Sequence, residues 1–125
     1  RHDLRMSTYL KISKICSVEE LNKVVGELNE MYGDVPSEVQ NLCKIAYIKN
    51  LASTRKVNRV VLKSIDSYIS FYDDVELSKV SLALQSFSNN LVLDVLNKPI
   101  IKLKNVASLA AALNLVINFL EILSN

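Results

Sequence analysis

The side chains with the chemistry to act on a substrate are few and badly placed for it. A catalytic site needs an acid, a base, a nucleophile or a metal within mutual reach. The single histidine, His2, stands at the extreme N-terminus, where chains fray, and so makes a poor general base or ligand. Cys16 and Cys43 lie 27 positions apart with no second pair and no neighbouring histidine, a spacing that builds neither a zinc cage nor a disulfide framework. Both read as buried thiols in a reducing cytosol. Asp73, Asp74 and Glu76 carry the charge for a divalent cation, yet the Asp-x-Asp-x-Asp-Gly loop and its distal Glu are missing, and acids are expected just ahead of a helix in any case. With only two glycines there is no tract to cradle a phosphate, so neither a nucleotide fingerprint nor any other cofactor site is expected.

Constellations suited to binding are more numerous. Lys44, Lys49, Arg55, Lys56 and Arg59 gather near the end of a third helix with Tyr47 among them, as a phosphate-contacting patch requires. The helix dipole alone also favours cations there. Within a second helix Glu20, Lys23, Glu27 and Glu30 step by three, four and three, with Asp34 just beyond, and so form a mainly acidic stripe opposite an apolar one. That stripe is either a solvated face or a docking edge for a basic surface, where charge complementarity sets register and partner choice. The last helix is apolar nearly all round apart from Ser108 and the strip Asn114, Asn118, Glu121. Such a helix covers the sheet or offers an apolar flank to another domain or subunit, the latter making an oligomerisation module.

Recurring apolar positions define the elements that carry these groups. Leu4, Thr8, Ile12 and Ile15 predict a helix over about residues 3 to 15. Ser17-Val18-Glu19-Glu20 is a capping box in which the Ser17 hydroxyl and the Glu20 carboxylate each take a backbone N–H. The stripe Leu21, Val24, Val25, Leu28, Met31, Tyr32 follows it, and Gly33 supplies the left-handed residue that ends the helix. Pro36 suits the first turn of the third helix, whose Val39, Leu42, Cys43, Ile45, Ala46, Ile48, Leu51 and Ala52 predict burial on two sides. Near residue 56 the period changes. Val57, Val60, Val61, Leu62 and then Tyr68, Ile69, Phe71, Tyr72 predict a hairpin. A helix on Leu77, Val80, Leu84 and Phe87 follows, closed by Asn89-Asn90, then strands at 91–95 and 100–103 around Asn97-Lys98-Pro99, then the last helix, capped by Asn105 and ending near Leu123.

The predicted fold class is therefore α+β: an N-terminal three-helix region followed by a small four-stranded sheet with two further helices. With 125 residues, half of them hydrophobic, the chain is expected to form a single domain over 1–125. Its net charge of +2 lacks the lopsided basicity of a dedicated nucleic-acid arm. Asn114, Asn118 and Glu121 interrupt the one long apolar stretch, so no membrane span is expected. The opening Arg1-His2-Asp3 lacks an initiator Met and a leader, the pattern of a piece cut from a longer cytoplasmic polypeptide.

Read together, Arg5-x-x-x-Tyr9, Glu19-Glu20-Leu21, Glu27-Leu28-Asn29-Glu30-Met31-Tyr32-Gly33-Asp34-Val35-Pro36 and Leu42-Cys43-Lys44-Ile45-Ala46 resemble the C-terminal domain of the bacterial transcription-repair coupling factor. The likeness covers about the first half of the chain and centres on that family's Glu-Leu-x-Asp-Arg-Phe-Gly-x-x-Pro segment. It implies a non-catalytic regulatory domain of an ATP-dependent DNA translocase that displaces stalled RNA polymerase and recruits the excision-repair protein UvrA. The implied partner is an N-terminal UvrB-like domain of the same polypeptide, whose UvrA-binding surface the domain covers; DNA is met through the parent protein only. Carried over by motif, the contact residues are Glu27, Glu30 and Met31, with Glu20 and Asp34 extending the acidic stripe. Glu30 keeps the charge of the family's Asp, whereas Met31 replaces its Arg and loses the guanidinium's paired bonds. Lys56 stands where the family often has a helix-ending Gly, which predicts a differently shaped turn.

Overall fold

A computed structural model describes residues 5–123. Helices α1 (Met6–Ser13), α2 (Val18–Tyr32) and α3 (Ser37–Ala52) are followed by strands β1 (Val57–Val61) and β2 (Tyr68–Phe71), helix α4 (Leu77–Leu84), strands β3 (Leu91–Asp94) and β4 (Ile100–Leu103) and helix α5 (Leu109–Ile122). This is the α+β order expected from the sequence. The chain divides into two compact units, Arg1–Leu51 and Ala52–Asn125, close to the change of period.

In the first unit α1 starts after Arg5, whose carbonyl accepts the N–H groups of Thr8 and Tyr9. The helix expected over about residues 3 to 15 is observed over Met6–Ser13, and residues 1–4, His2 among them, lie outside the described residues. Thr8, Ile12 and, in the following turn, Ile15 are buried, whereas Met6, Tyr9 and Leu10 are exposed, so α1 contributes only a thin apolar edge. Ser17 caps α2 by accepting the Glu20 N–H at 3.1 Å. The Glu20 carboxylate departs from the expected box and accepts from the Cys16 thiol at 2.9 Å and the Ser17 hydroxyl at 3.3 Å. Cys16, expected in the core, is exposed because it sits in the turn between two helices; Cys43 is buried as expected.

Along α2, Leu21, Val24 and Leu28 are buried, but Met31, placed by its spacing in the apolar stripe, is 54% exposed. At about 100° per residue it falls on the flank of that stripe, on the side of Glu27. Gly33 has the positive φ expected of it, at φ 78° and ψ −151°. It lies outside the left-handed helical region, in a region open essentially to glycine alone. Asn29 then accepts the Val35 N–H, and the Pro36 carbonyl, immediately before α3, accepts from Val39 and Gln40. On α3 a single stripe of Cys43, Tyr47, Ile48 and Leu51 is buried. Leu42 and Ile45 are 37% and 38% exposed, which corrects the expectation of burial on two sides. Asn50 donates to the carbonyls of Ser13 and Ile15, fixing the α1–α2 turn to α3.

The second unit is an antiparallel sheet in the order β1-β2-β4-β3 with α4 and α5. Val57↔Phe71, Val60↔Ile69, Ile69↔Ile101 and Leu91↔Leu103 are opposed pairs, and Val57, Phe71, Ile69, Ile101 and Leu91 are buried. The β-branched and aromatic runs expected to form strands do so. A register shift between Val57 and Arg59 adds the residue Asn58 on edge strand β1. Leu113, Val116 and Leu120 of α5 are buried, with Phe119 meeting Phe87 edge to face at 5.9 Å. The strip Asn114, Asn118, Glu121 is exposed.

One cap differs from expectation. Ser108, not Asn105, caps α5 by accepting the Ala111 N–H. Asn105 takes φ 57° and donates to the Asn89 carbonyl, pinning the entry to the helix instead. The acids ahead of α4 stand just before its N-terminus as expected: Glu76 holds the N-cap position, without bonding the backbone, and Asp74 pairs with Lys56. Lys56 itself has φ 60°. The turn therefore has a left-handed residue without the glycine usually found there.

Candidate docking surface

The outer side of α2 places the predicted contact residues together. Glu27, Glu30 and Met31 lie within one turn or so of the helix, and Asp34 follows Gly33 just past its end. Glu30, Met31 and Asp34 are exposed, and Glu27 is half-buried. Glu20, at the other end of the stripe, is half-buried and engaged with Cys16 and Ser17. The face is thus a run of carboxylates beside an exposed thioether, on a helix held from behind by Leu21, Val24 and Leu28.

Sequence reasoning missed the partner that Glu27 already has. Lys11 of α1 places Nζ 2.9 Å from Glu27 Oε2, with the lysine side chain 60% and the glutamate 35% exposed. The ammonium's hydrogen bond and charge hold the Glu27 carboxyl below its ordinary value, with Lys23 assisting. The signal was the short connection between α1 and α2, since such connections make antiparallel neighbours. An intra-stripe reading of α2 does not contain it. Glu30 and Asp34 make no ion pair among the described residues.

The predicted basic patch is put to varied use. Lys44 and Lys49 lie on α3 of the first unit, Lys44 half-buried and Lys49 exposed, while Arg55, Lys56 and Arg59 belong to the second unit. Arg55 Nε donates at 2.6 Å to the carbonyls of both Leu120 and Leu123, and its guanidinium also reaches Thr54 Oγ1 at 2.9 Å. It closes the C-terminal end of α5, where carbonyls lack intrahelical partners. Lys56 Nζ is 2.7 Å from Asp74, whose carboxyl this bond lowers. Arg59 is exposed on β1.

The chemistry open to the remaining groups is limited. The Glu20 carboxylate, accepting from the Cys16 thiol, raises its pKa, and burial raises that of Cys43, so both favour the thiol over the nucleophilic thiolate. Among the described residues no three His, Cys, Asp or Glu side chains are grouped to hold a metal. An open groove of about 640 Å³ runs between the β1–β2 loop at Leu62–Ser67 and the β4–α5 connection. The carboxylates with lowered pKa, Glu27, Asp74 and Asp94, all lie outside it, each answering to its own hydrogen-bond partner. No helix of the described residues is long and apolar enough to cross a membrane.

Comparison with known proteins identifies the family and the fold. The family model for the TRCF domain matches residues 1–82, the part that holds α1, α2, α3, β1, β2 and most of α4. The transcription-repair-coupling factor of Borreliella burgdorferi is 30% identical over 88 residues, which is 69% of this chain and 8% of that protein. A crystal structure of the C-terminal domain of transcription-repair coupling factor aligns with a TM-score of 0.80 over 97% of this chain and 80% of its own, at 22% identity, and so has the same fold. With the family match covering well over half its length, the chain belongs to the TRCF domain family, the transcription-repair coupling factors.

Proposed function

We propose that this is a non-catalytic regulatory domain of a DNA translocase, docking through the outer face of α2 on the N-terminal UvrB-like domain of the same cytoplasmic polypeptide and masking its UvrA-recruitment surface. The observation that carries the reading is the exposed group Glu30, Met31 and Asp34 beside Glu27, which presents acids and an apolar side chain away from the buried face of the helix. Such a surface suits a basic partner with a central apolar contact. A regulatory coupling of about 1–3 kcal/mol suffices, and tethering within one chain adds a millimolar-scale effective concentration. The alternative of a phosphate-binding patch is weakened by the internal engagement of Arg55 and Lys56.

Replacing Glu27 and Glu30 together with Lys in the full-length parent is expected to release the latch, raising UvrA binding and basal ATPase while this domain stays folded. UvrA binding equal to wild type would place autoinhibition elsewhere, such as on the α5 flank with exposed Leu109 and Ile122.

A further inference from the structure

We infer that Lys11 is a built-in competitor for the docking contact: it occupies Glu27 until a cation of the partner surface takes its place. The inference rests on the docking reading above and deepens it. Lys11 reaches Glu27 from a different helix, at 2.9 Å, and its own side chain is largely in solvent. The C-terminal end of α1 is fixed by Asn50 through the Ser13 and Ile15 carbonyls and by buried Ile12, so the part free to move is the flexible lysine stem. An ammonium offers Glu27 a single point of contact, whereas a guanidinium forms two parallel bonds to a carboxylate. A partner arginine therefore displaces Lys11 at small cost. Glu30 and Asp34, with no ion pair among the described residues, meet their partners without any exchange.

This specifies the partner surface: an arginine for Glu27, further cations for Glu30 and Asp34, and an apolar group against Met31. It also gives Lys11 a direction of effect opposite to that of the acids. Removing it should strengthen docking, because the competitor goes and a like charge leaves the contact. The expected gain is about two- to fivefold, the range of an exposed pair.

The test uses the full-length parent with a fluorescence donor in this domain and an acceptor in the N-terminal domain, the docked fraction being read by energy transfer across a NaCl titration. Lys11→Gln is expected to raise the docking constant about two- to fivefold and to move the release midpoint to higher salt. Lys11→Arg, a competitor able to form two bonds, should lower the docking constant below wild type, and Lys11→Gln should add nothing in a Glu27→Gln background. Glu30→Lys should undock the domain. If Glu30→Lys releases but Lys11→Gln leaves docking unchanged or weaker, the competitor role is overturned and the docking reading survives. If Glu30→Lys has no effect, both fall.

Discussion

Arg55 and Lys56 stand side by side after α3 and use their charges differently. The Arg55 Nε bonds to Leu120 and Leu123 serve carbonyls that α5 cannot satisfy itself, and charge-assisted bonds of this kind are worth about 1.5–3 kcal/mol. Arg55→Ala is therefore expected to lower stability by that amount in urea denaturation, with Arg55→Lys recovering only part, since an ammonium lacks the fixed fork. Lys56 holds φ 60°, a conformation costing a non-glycine residue roughly 1–2 kcal/mol. Lys56→Gly relieves that strain and gives up only an exposed ion pair, so its stability should be no lower than wild type. Lys56→Val should be plainly destabilised, because a β-branched side chain fits that region poorly. A destabilised Lys56→Gly protein would show that the Asp74 pair outweighs the backbone strain.

Between elements, α1 is tied to α2 by Lys11–Glu27 and to α3 by Asn50, and these ties respond differently to acid. The Glu27 carboxyl is lowered from its ordinary 4.5 in the folded chain, so its contribution is complete well above that pH and is lost as pH falls through the lower folded value. An acid titration of stability should show wild type losing this increment below about pH 4.5 and Glu27→Gln lacking it. At the start of α2, Ser17→Ala should cost about 1 kcal/mol, the usual value of an N-cap, in the same denaturation assay.

These elements also mark how far the sequence could be read. The strands were legible because Val57, Val60, Val61, Tyr68, Ile69 and Phe71 fall in β-branched and aromatic runs, and the start of α2 because Ser17 is a specific local signal. Local signals misled where two residues could do one job: Asn105 and Ser108 both suit an N-cap, and only the bond from Asn105 to Asn89, in a distant segment, decides between them. Met31 shows the same limit, since spacing assigns it to the apolar stripe but the absence of cover over the last turn leaves it in solvent. The acidic side of α2 was visible in one helix's periodicity; the ion pair across it depends on how two helices meet.

On the scale of the whole polypeptide, this chain spans 8% of the length of the Borreliella burgdorferi relative it matches. The proposed role is therefore that of a small part of a much longer polypeptide. In the proposed reading an individually weak latch would fit that setting, because tethering within one polypeptide raises its effective concentration. Salt should be a strong lever, since the contacts invoked are largely solvent-exposed charges. The most direct measurement is carboxyl footprinting of the full-length parent at low and high NaCl, following Glu30 and Asp34 against Glu19 and Asp73, which are also exposed here but lie outside the proposed surface. Docking through α2 predicts that Glu30 and Asp34 are several-fold protected at low salt and label like Glu19 and Asp73 at high salt; labelling of all four residues at the same rate in both conditions would contradict it.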